Sequence, residues 1–167
     1  MRKIFAVLGS ALFLVIAPGT VVGLLPWLIS QWQFRPAFFA GSRIVGAVLI
    51  GLCLIPLLES FGRFALQGLG TPAPIFPTRH LVVTGFYRHV RNPMYVGVVG
   101  AILGQGLLFG DVRLIGYGAL VWLGCHLFVV AYEEPKLKRR YGAEYEEFRA
   151  HVPRWLPRLT PWKAPSA

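Results

Sequence analysis

Charged residues are scarce in this chain, and acidic residues are the scarcest of them. Only 14% of the 167 residues are charged, with 7 acids against 17 lysines and arginines. The net charge of +10 favours a nucleic-acid partner at first sight. However, a hydrophobic content of 55% leaves too little polar surface for a soluble nucleic-acid-binding domain or a disordered chain. We therefore expect no nucleic-acid partner.

Cysteine is also rare. The chain has 2 cysteines, Cys53 and Cys125, and both lie in apolar stretches without metal-ligand spacing. This usage excludes a disulfide-stapled secreted module. It predicts that the cysteines have packing roles and that the chain holds no metal site.

Long apolar stretches take up most of the sequence, at residues 4–29, 44–58, 94–109 and 114–132. A helix needs about 20 residues to cross the hydrocarbon of a bilayer. The stretches therefore predict an all-α, polytopic membrane helix bundle with four transmembrane helices. The number is five if the first stretch, which Pro18 and Pro26 interrupt, is a re-entrant pair. We expect that stretch to remain uncleaved, because no convincing cleavage site precedes Pro18.

Basic residues are distributed unevenly between the two predicted sides of the membrane. With four spans and a cytoplasmic N-terminus, all of the 17 except Arg35, Arg43 and Arg113 fall on the cytoplasmic side. The positive-inside rule therefore favours this multi-pass arrangement, with both termini in the cytoplasm and the basic residues near membrane lipids. On the third stretch, Gly97, Gly100 and Gly104 predict a close helix contact.

The polar segment between the second and third spans is the first candidate for a site. Its early part is rich in proline and glycine and predicts extended chain, and it ends at Asn92-Pro93. Asn92 is suited to cap a helix whose first residue is Pro93. The positive end of that helix would face an anionic group of a ligand.

Two adjacent carboxylates, Glu133 and Glu134, stand where the fourth span ends. Carboxylates are costly at the end of an apolar helix. Two interpretations remain open for the pair, an interfacial salt-bridge group or a ligand-binding group. Residues 136–152 follow with apolar positions at helical spacing, which predicts an amphipathic helix that lies on the membrane or covers the site as a lid.

His126 is the one histidine within the fourth span, seven residues before Glu133 and so on nearly the same helical face. Two interpretations are open for it also. It lines a channel for a substrate, or it makes a hydrogen bond within the helix bundle.

The order of these motifs resembles that of a known family. The motifs are residues 85–88, 91–97, 133–135 and 141–153, within a region of about residues 71–157. They are similar to those of the isoprenylcysteine carboxyl methyltransferases and the related phospholipid N-methyltransferases. The resemblance implies an integral-membrane enzyme that transfers a methyl group from S-adenosylmethionine to a lipophilic small molecule or lipid. The acceptor group would be an isoprenylcysteine-type carboxylate or a phospholipid amine-like group that is accessible from the membrane. The cytoplasmic loop and the C-terminal amphipathic helix would enclose the cofactor.

The same resemblance implies the roles of individual residues. Glu133 would lie nearest the acceptor as the catalytic residue. The cofactor-binding residues would be His80, Leu81, Val82, Tyr87, Asn92, Pro93, Met94, Tyr95 and Glu134. Aromatic rings suit a sulfonium cation, and carboxylates suit amino or ribose groups.

Two positions depart from the family pattern. Asn92 stands where the family usually has histidine, which is more compatible with cofactor binding than with proton transfer at this place. Val129 stands where eukaryotic isoprenylcysteine members have arginine, which argues against a prenylcysteine carboxylate as substrate.

The chain is expected to form a single domain over residues 1–167. Residues 1–63 would hold the N-terminal spans, 64–157 the cofactor-binding core and 158–167 the tail. Two other functions are alternatives to methyl transfer: an NADPH-dependent reductase of the sterol type, and a membrane scaffold or transport component without enzymatic activity.

Overall fold

The computed structural model describes residues 12, 15–67, 81 and 83–163, apart from the side chains of residues 63–67. These residues form helices and connecting turns, and no strand occurs among them. The helices are α1 (Val15–Ser30), α2 (Ser42–Gln67), α3 (Pro93–Phe109), α4 (Val112–Phe128), α5 (Glu134–Tyr141) and α6 (Ala143–His151). The prediction of an all-α chain is confirmed for the described residues.

Two helical segments are long and apolar enough to cross a membrane. They are Ser42–Gly62 in α2 and Val112–Tyr141, which joins α4 to α5. Only 28% and 17% of their most apolar windows are buried within the chain, whereas the core helix of a soluble protein would be mostly buried. Large apolar side chains such as Ile44 and Leu120 are about 70% exposed, at 71% and 69%. These surfaces indicate a membrane protein, with lipid as the solvent of the outer helix faces.

Helices α1 and α3 are also apolar but shorter than these two segments. The helix α3 begins at Pro93, as its sequence predicts, with Asn92 as the preceding residue. The Asn92 side chain, however, makes no capping hydrogen bond. Its amide instead donates to the carbonyl oxygen of Arg154, at 3.2 Å. The expected helix start is therefore present, but the expected side-chain cap is wrong.

The contact between α2 and α3 is the most extensive in the fold. Gly97, Gly100 and Gly104 of α3 face α2, as the sequence predicts: a Cβ on Gly97 would lie 2.7 Å from the carbonyl oxygen of Cys53. One on Gly104 would lie 2.9 Å from the carbonyl oxygen of Gly46. Because these distances are too short for any side chain, glycine sets the approach of the two backbones. Beside this seam Leu57, Phe61, Val98 and Ile102 form the buried core.

The amphipathic segment forms two helices, α5 and α6, which meet at Gly142 with a φ of +52°. Its apolar side is covered by the chain itself. Tyr145, Phe148 and Val152 are buried and pack against Leu81, Val83 and Trp162. The apolar stripe predicted from the sequence is therefore confirmed, but lipid does not cover it at these three residues.

A C-terminal strap, residues 152–162, runs antiparallel to residues 88–92. The backbone N–H groups of Arg91, Arg158 and Trp162 donate to the carbonyl oxygens of Pro153, His89 and Arg88, each at 2.9 Å. The Arg88 Nε also donates to the Trp162 carbonyl oxygen, at 2.6 Å. The strap thus holds the loop that leads into α3, and it extends into the segment that the sequence assigns to the tail.

Candidate active site

The candidate site is built around Glu133, at the end of a π-helical segment, Val129–Glu133. The backbone N–H of Glu134 bonds to the carbonyl oxygen of Val129, five residues earlier. Pro135 follows directly, and proline provides no N–H and crowds the carbonyl oxygen four residues before it. A wider turn before Pro135 relieves that crowding. The π turn therefore changes the direction of Glu133 relative to a regular α-helix.

Glu133 meets Tyr95, which lies in the first turn of α3. The Tyr95 hydroxyl donates to the Oε2 atom of Glu133 at 3.2 Å. Both side chains are partly buried. No ion pair with a basic side chain holds Glu133 within the described residues. A half-buried carboxylate with a neutral partner keeps its capacity to attract a cation.

Tyr87 approaches the same carboxylate from the 3₁₀ turn Gly85–Arg88. Burial raises the pKa of the Tyr87 hydroxyl, and the negative charge of Glu133 raises it further. The hydroxyl also lies beside Ser60, in the last third of α2. Two tyrosines and Glu133 therefore come together from three separate segments of the chain.

Glu134 has quite different surroundings from its neighbour. Its Oε1 atom accepts from Arg154 Nε at 2.7 Å and lies 3.0 Å from Arg91 Nη1. Its Oε2 atom accepts from Arg154 Nη2 at 2.9 Å. The hydrogen bond from Arg154 to Glu134 raises the pKa of the guanidinium. Glu134 thus joins α5, the loop before α3 and the C-terminal strap into one unit.

The Arg91 guanidinium extends this network to α6. Its Nη1 donates to the Tyr145 hydroxyl at 3.2 Å, and the Tyr145 ring is 2% exposed. Burial raises the pKa of this tyrosine, and the charge of Glu134 adds to the effect. Of the two interpretations that the sequence leaves open for the glutamate pair, the structure shows the salt bridge at Glu134. Glu133 is hydrogen-bonded to Tyr95, and its ligand-binding role stays a prediction.

The other predicted site residues lie in several places. Leu81 packs against the α6 cluster, and Met94 packs against the core between α2 and α3. Asn92 and Pro93 are buried at the start of α3. His80 and Val82 lie outside the described residues. The structure brings Tyr87 and Tyr95 to Glu133, and the cofactor roles of all these residues stay predictions.

Sequence reasoning missed both arginines of the Glu134 network. Arg91 falls within the motif that precedes Pro93, so its position was a usable signal. Arg154 is 20 residues from Glu134 and has no local pattern that marks it. Only the path of the strap brings it to the glutamate.

Comparison with known proteins identifies the family of this arrangement. The phospholipid methyltransferase family model matches residues 42–144, more than half of the chain. The chain belongs to the phospholipid methyltransferase family. The matched region contains Tyr87, Tyr95 and both glutamates. The family resemblance drawn from the motifs is thereby confirmed, and with it the class of methyltransferase enzymes.

Two curated relatives are similar to part of the chain. The protein-S-isoprenylcysteine O-methyltransferase of Schizosaccharomyces pombe is 35% identical over 80 residues, which are 47% of this chain and 34% of that protein. The protein-S-isoprenylcysteine O-methyltransferase B of Arabidopsis thaliana is 31% identical over 80 residues, 46% of this chain and 39% of the relative. The matches thus span between a third and two fifths of these relatives' lengths. No solved structure matches the chain.

Proposed function

We propose that this protein transfers a methyl group from S-adenosylmethionine to a lipophilic acceptor in the membrane. The observation that carries the proposal is the Glu133–Tyr95 pair, with Tyr87 beside it, inside a region that matches a methyltransferase family. The acceptor class follows from the lipid-facing helices that lead to this pair.

The residues at the pair have the chemistry that the cofactor requires. S-adenosylmethionine supplies an electrophilic methyl group on a positively charged sulfur. The Glu133 carboxylate makes no ion pair with a basic side chain among the described residues, so it can attract a cation. The electron-rich faces of Tyr87 and Tyr95 add cation–π attraction. These groups fit a sulfonium ligand better than an anionic one such as NADPH.

In this proposal Glu133 and Tyr95 act on position and charge. The Tyr95 hydroxyl fixes one oxygen of Glu133 and leaves the other oxygen for the acceptor or the cofactor. Methyl transfer is an in-line displacement in which the acceptor–methyl bond forms as the sulfur–methyl bond breaks. Holding two reactants in line can account for about 7–11 kcal/mol of barrier reduction. Apolar surroundings exclude water and strengthen the field of Glu133.

Glu134 has a supporting role in the same proposal. Its two arginine partners hold the loop that carries Tyr87 and the strap against α5. The cofactor contacts predicted for His80, Leu81, Val82, Asn92, Pro93 and Met94 belong to this proposal as the remaining walls of the site. The whole unit over residues 64–157 would then form one cofactor-binding core.

We also propose that α1, α2, α3 and α4 all cross the membrane, with both termini and the site in the cytoplasm. The opposite end of the bundle supports this orientation. Arg35 and Arg113, two of the three basic residues assigned outside, pair with Asp111 at 3.1 and 2.6 Å. Little unpaired positive charge therefore remains on that side. Reporter fusions after residues 38 and 110 should both report the outer side, and a cytoplasmic signal from either would overturn the arrangement.

The test of function uses the full chain purified in detergent. Calorimetric titration with S-adenosylhomocysteine should show binding, and a membrane lipid extract should accept a labelled methyl group from S-adenosylmethionine. Tyr95→Phe should reduce transfer, whereas the matched control Tyr132→Phe, an exposed tyrosine of the π turn, should not. Absence of S-adenosylhomocysteine binding, or binding of labelled NADPH instead, would overturn the proposal.

A further inference from the structure

A cluster of three rings lies on α4 and the strap, outside the Glu133–Tyr95 pair. The Trp155 indole N–H donates to Nδ1 of His126 at 3.1 Å. Trp122 stacks on the imidazole, with ring centroids 5.3 Å apart and planes at 28°. The two tryptophan rings also lie beside each other, with centroids 6.4 Å apart, so His126 contacts both rings of one aromatic cluster at an apolar helical segment.

The hydrogen bond from Trp155 determines the form of the His126 ring. An indole N–H can only donate, so Nδ1 of His126 must accept and carries no proton. The neutral imidazole then has its proton on Nε2. In this tautomer Nε2–H is the hydrogen-bond donor of the ring.

The Nε2–H donor has no hydrogen-bond acceptor among the described residues, and the His126 side chain is only partly buried. A donor without an acceptor is unfavourable in an apolar medium. Carbonyl, carboxylate, phosphate and hydroxyl oxygens are the acceptors that a membrane molecule offers. Its partner would therefore be an oxygen of a molecule that reaches α4 from the lipid.

The cluster and the candidate active site are connected through the strap. Arg154 binds Glu134, and the next residue, Trp155, binds His126. His126 precedes Glu133 by seven residues, which corresponds to about 10 Å along a helix. A molecule that contacts both residues would therefore extend along α4, with its apolar part against Trp122.

We propose that His126 binds an oxygen of the methyl acceptor and that Trp155 positions the imidazole for this contact. The proposal rests on the proposed function and adds a substrate class to it. The acceptor is an amphiphile that carries an oxygen-bearing group besides the methylated atom. His126 then selects the acceptor, while Glu133 and the tyrosines hold the reacting groups.

The first experiment measures methyl transfer to N-acetyl-S-farnesylcysteine and to phosphatidylethanolamine in phosphatidylcholine nanodiscs. His126→Phe should raise the KM of one of these acceptors about five- to tenfold, the effect of one hydrogen bond, without changing kcat. Trp155→Phe should raise this KM less, because His126 keeps its Nε2–H donor but its ring is no longer held by the Trp155 hydrogen bond. His151→Phe is the matched control, since His151 also stacks on a tryptophan, Trp162, but outside the membrane segment.

The second experiment does not depend on turnover. In protein labelled with ¹⁵N-histidine, the His126 signals, assigned by their loss in His126→Phe, should show a proton on Nε2 and none on Nδ1. The Nε2 signal should move when N-acetyl-S-farnesylcysteine is added, and it should not move with the hydrocarbon farnesane. A proton on Nδ1, or equal responses to both molecules, would overturn the proposal.

An oxygen of the methyl acceptor and an oxygen of a surrounding lipid would give different results. If the Nε2 signal moves on transfer from detergent to phosphatidylcholine nanodiscs without an acceptor, a surrounding lipid is the partner and the acceptor proposal is wrong. Failure of the unmodified protein to bind S-adenosylhomocysteine would reject the proposed function. Intact binding with an unchanged acceptor KM in His126→Phe would reject the role of His126 alone.

Discussion

The two ends of the helix bundle differ in the partners of their carboxylates. At one end Asp111 is 1% exposed as a side chain and pairs with both Arg35 and Arg113. At the other end Glu133 has a tyrosine hydroxyl as its hydrogen-bond partner. A carboxylate that two guanidiniums neutralise stabilises the chain, whereas one with a neutral partner keeps a charge that can act on a ligand.

The comparison also divides the two adjacent glutamates. Glu134 resembles Asp111 much more than it resembles Glu133, because two arginines hold it and its side chain is 11% exposed. Adjacent residues on a helix point about 100° apart, so they meet different elements. Charge and sequence position alone therefore do not separate a structural carboxylate from a functional one.

The largest expected effect concerns Glu133, the carboxylate to which we assign a function. Glu133→Gln should reduce methyl transfer by about two to three orders of magnitude, because it removes the charge and keeps the shape of the side chain. The thermal midpoint should remain unchanged, since the amide oxygen can still accept from Tyr95. Rapid-quench measurement of one turnover provides the rate. Glu144→Gln, at an exposed position of α6, is the control, and an equal loss there would contradict the prediction.

The second effect concerns stability. Glu134→Gln should lower the free energy of unfolding by about 3 kcal/mol, because Arg91 and Arg154 lose a shared, largely buried partner. Denaturant titration in detergent, followed by tryptophan fluorescence, measures this change. If S-adenosylhomocysteine binding is lost while stability is unchanged, Glu134 is a cofactor ligand and does not resemble Asp111.

A smaller effect is expected at the opposite end of the bundle. Asp111→Asn should lower the free energy of unfolding by about 1–2 kcal/mol, because both arginine partners are about half exposed and remain hydrated. Methyl transfer per folded molecule should not change. A loss of activity that exceeds the loss of folded protein would show that the two ends are coupled.

The smallest expected effect is a pH dependence of the stability difference between the unmodified protein and Asp111→Asn. The hydrogen bond from Arg113 holds the pKa of Asp111 below its usual value. The resulting stability is fully present above the unfolded pKa of about 3.9 and is lost as the pH falls through the lower folded pKa. The stability difference between the unmodified protein and Asp111→Asn should therefore shrink below about pH 4. A difference that stays constant down to pH 2 would contradict the ion pair.

The features that the sequence predicted well depend on local spacing. The start of α3 at Pro93 follows from the fixed φ of proline, and the close contact of α3 with α2 follows from glycines on one helical face. The apolar stripe of α6 follows from the helical period. In each case the information lies within a few neighbouring residues.

The features that sequence analysis missed depend on residues far apart. The strap brings Trp155 to His126 and Arg154 to Glu134, and neither contact has a local pattern. The interhelix bond considered for His126 is therefore a bond to the strap. The seven-residue spacing placed His126 and Glu133 on nearly the same face, but the π turn Val129–Glu133 changes that relation. Regular spacing assumes a regular helix, and Pro135 disturbs it.

The sequence by itself determined the class of environment and the family of this protein. Long apolar stretches need lipid or burial whatever their partners are. The order of the motifs can also be read from the sequence alone. Only the tertiary structure decided which carboxylate is neutralised. Arg91 and Arg154 meet at Glu134 because the strap lies against the loop before α3, while the π turn directs Glu133 to Tyr95. Electrostatic roles depend on distances of a few ångströms between distant segments, and those distances exist only in the folded chain.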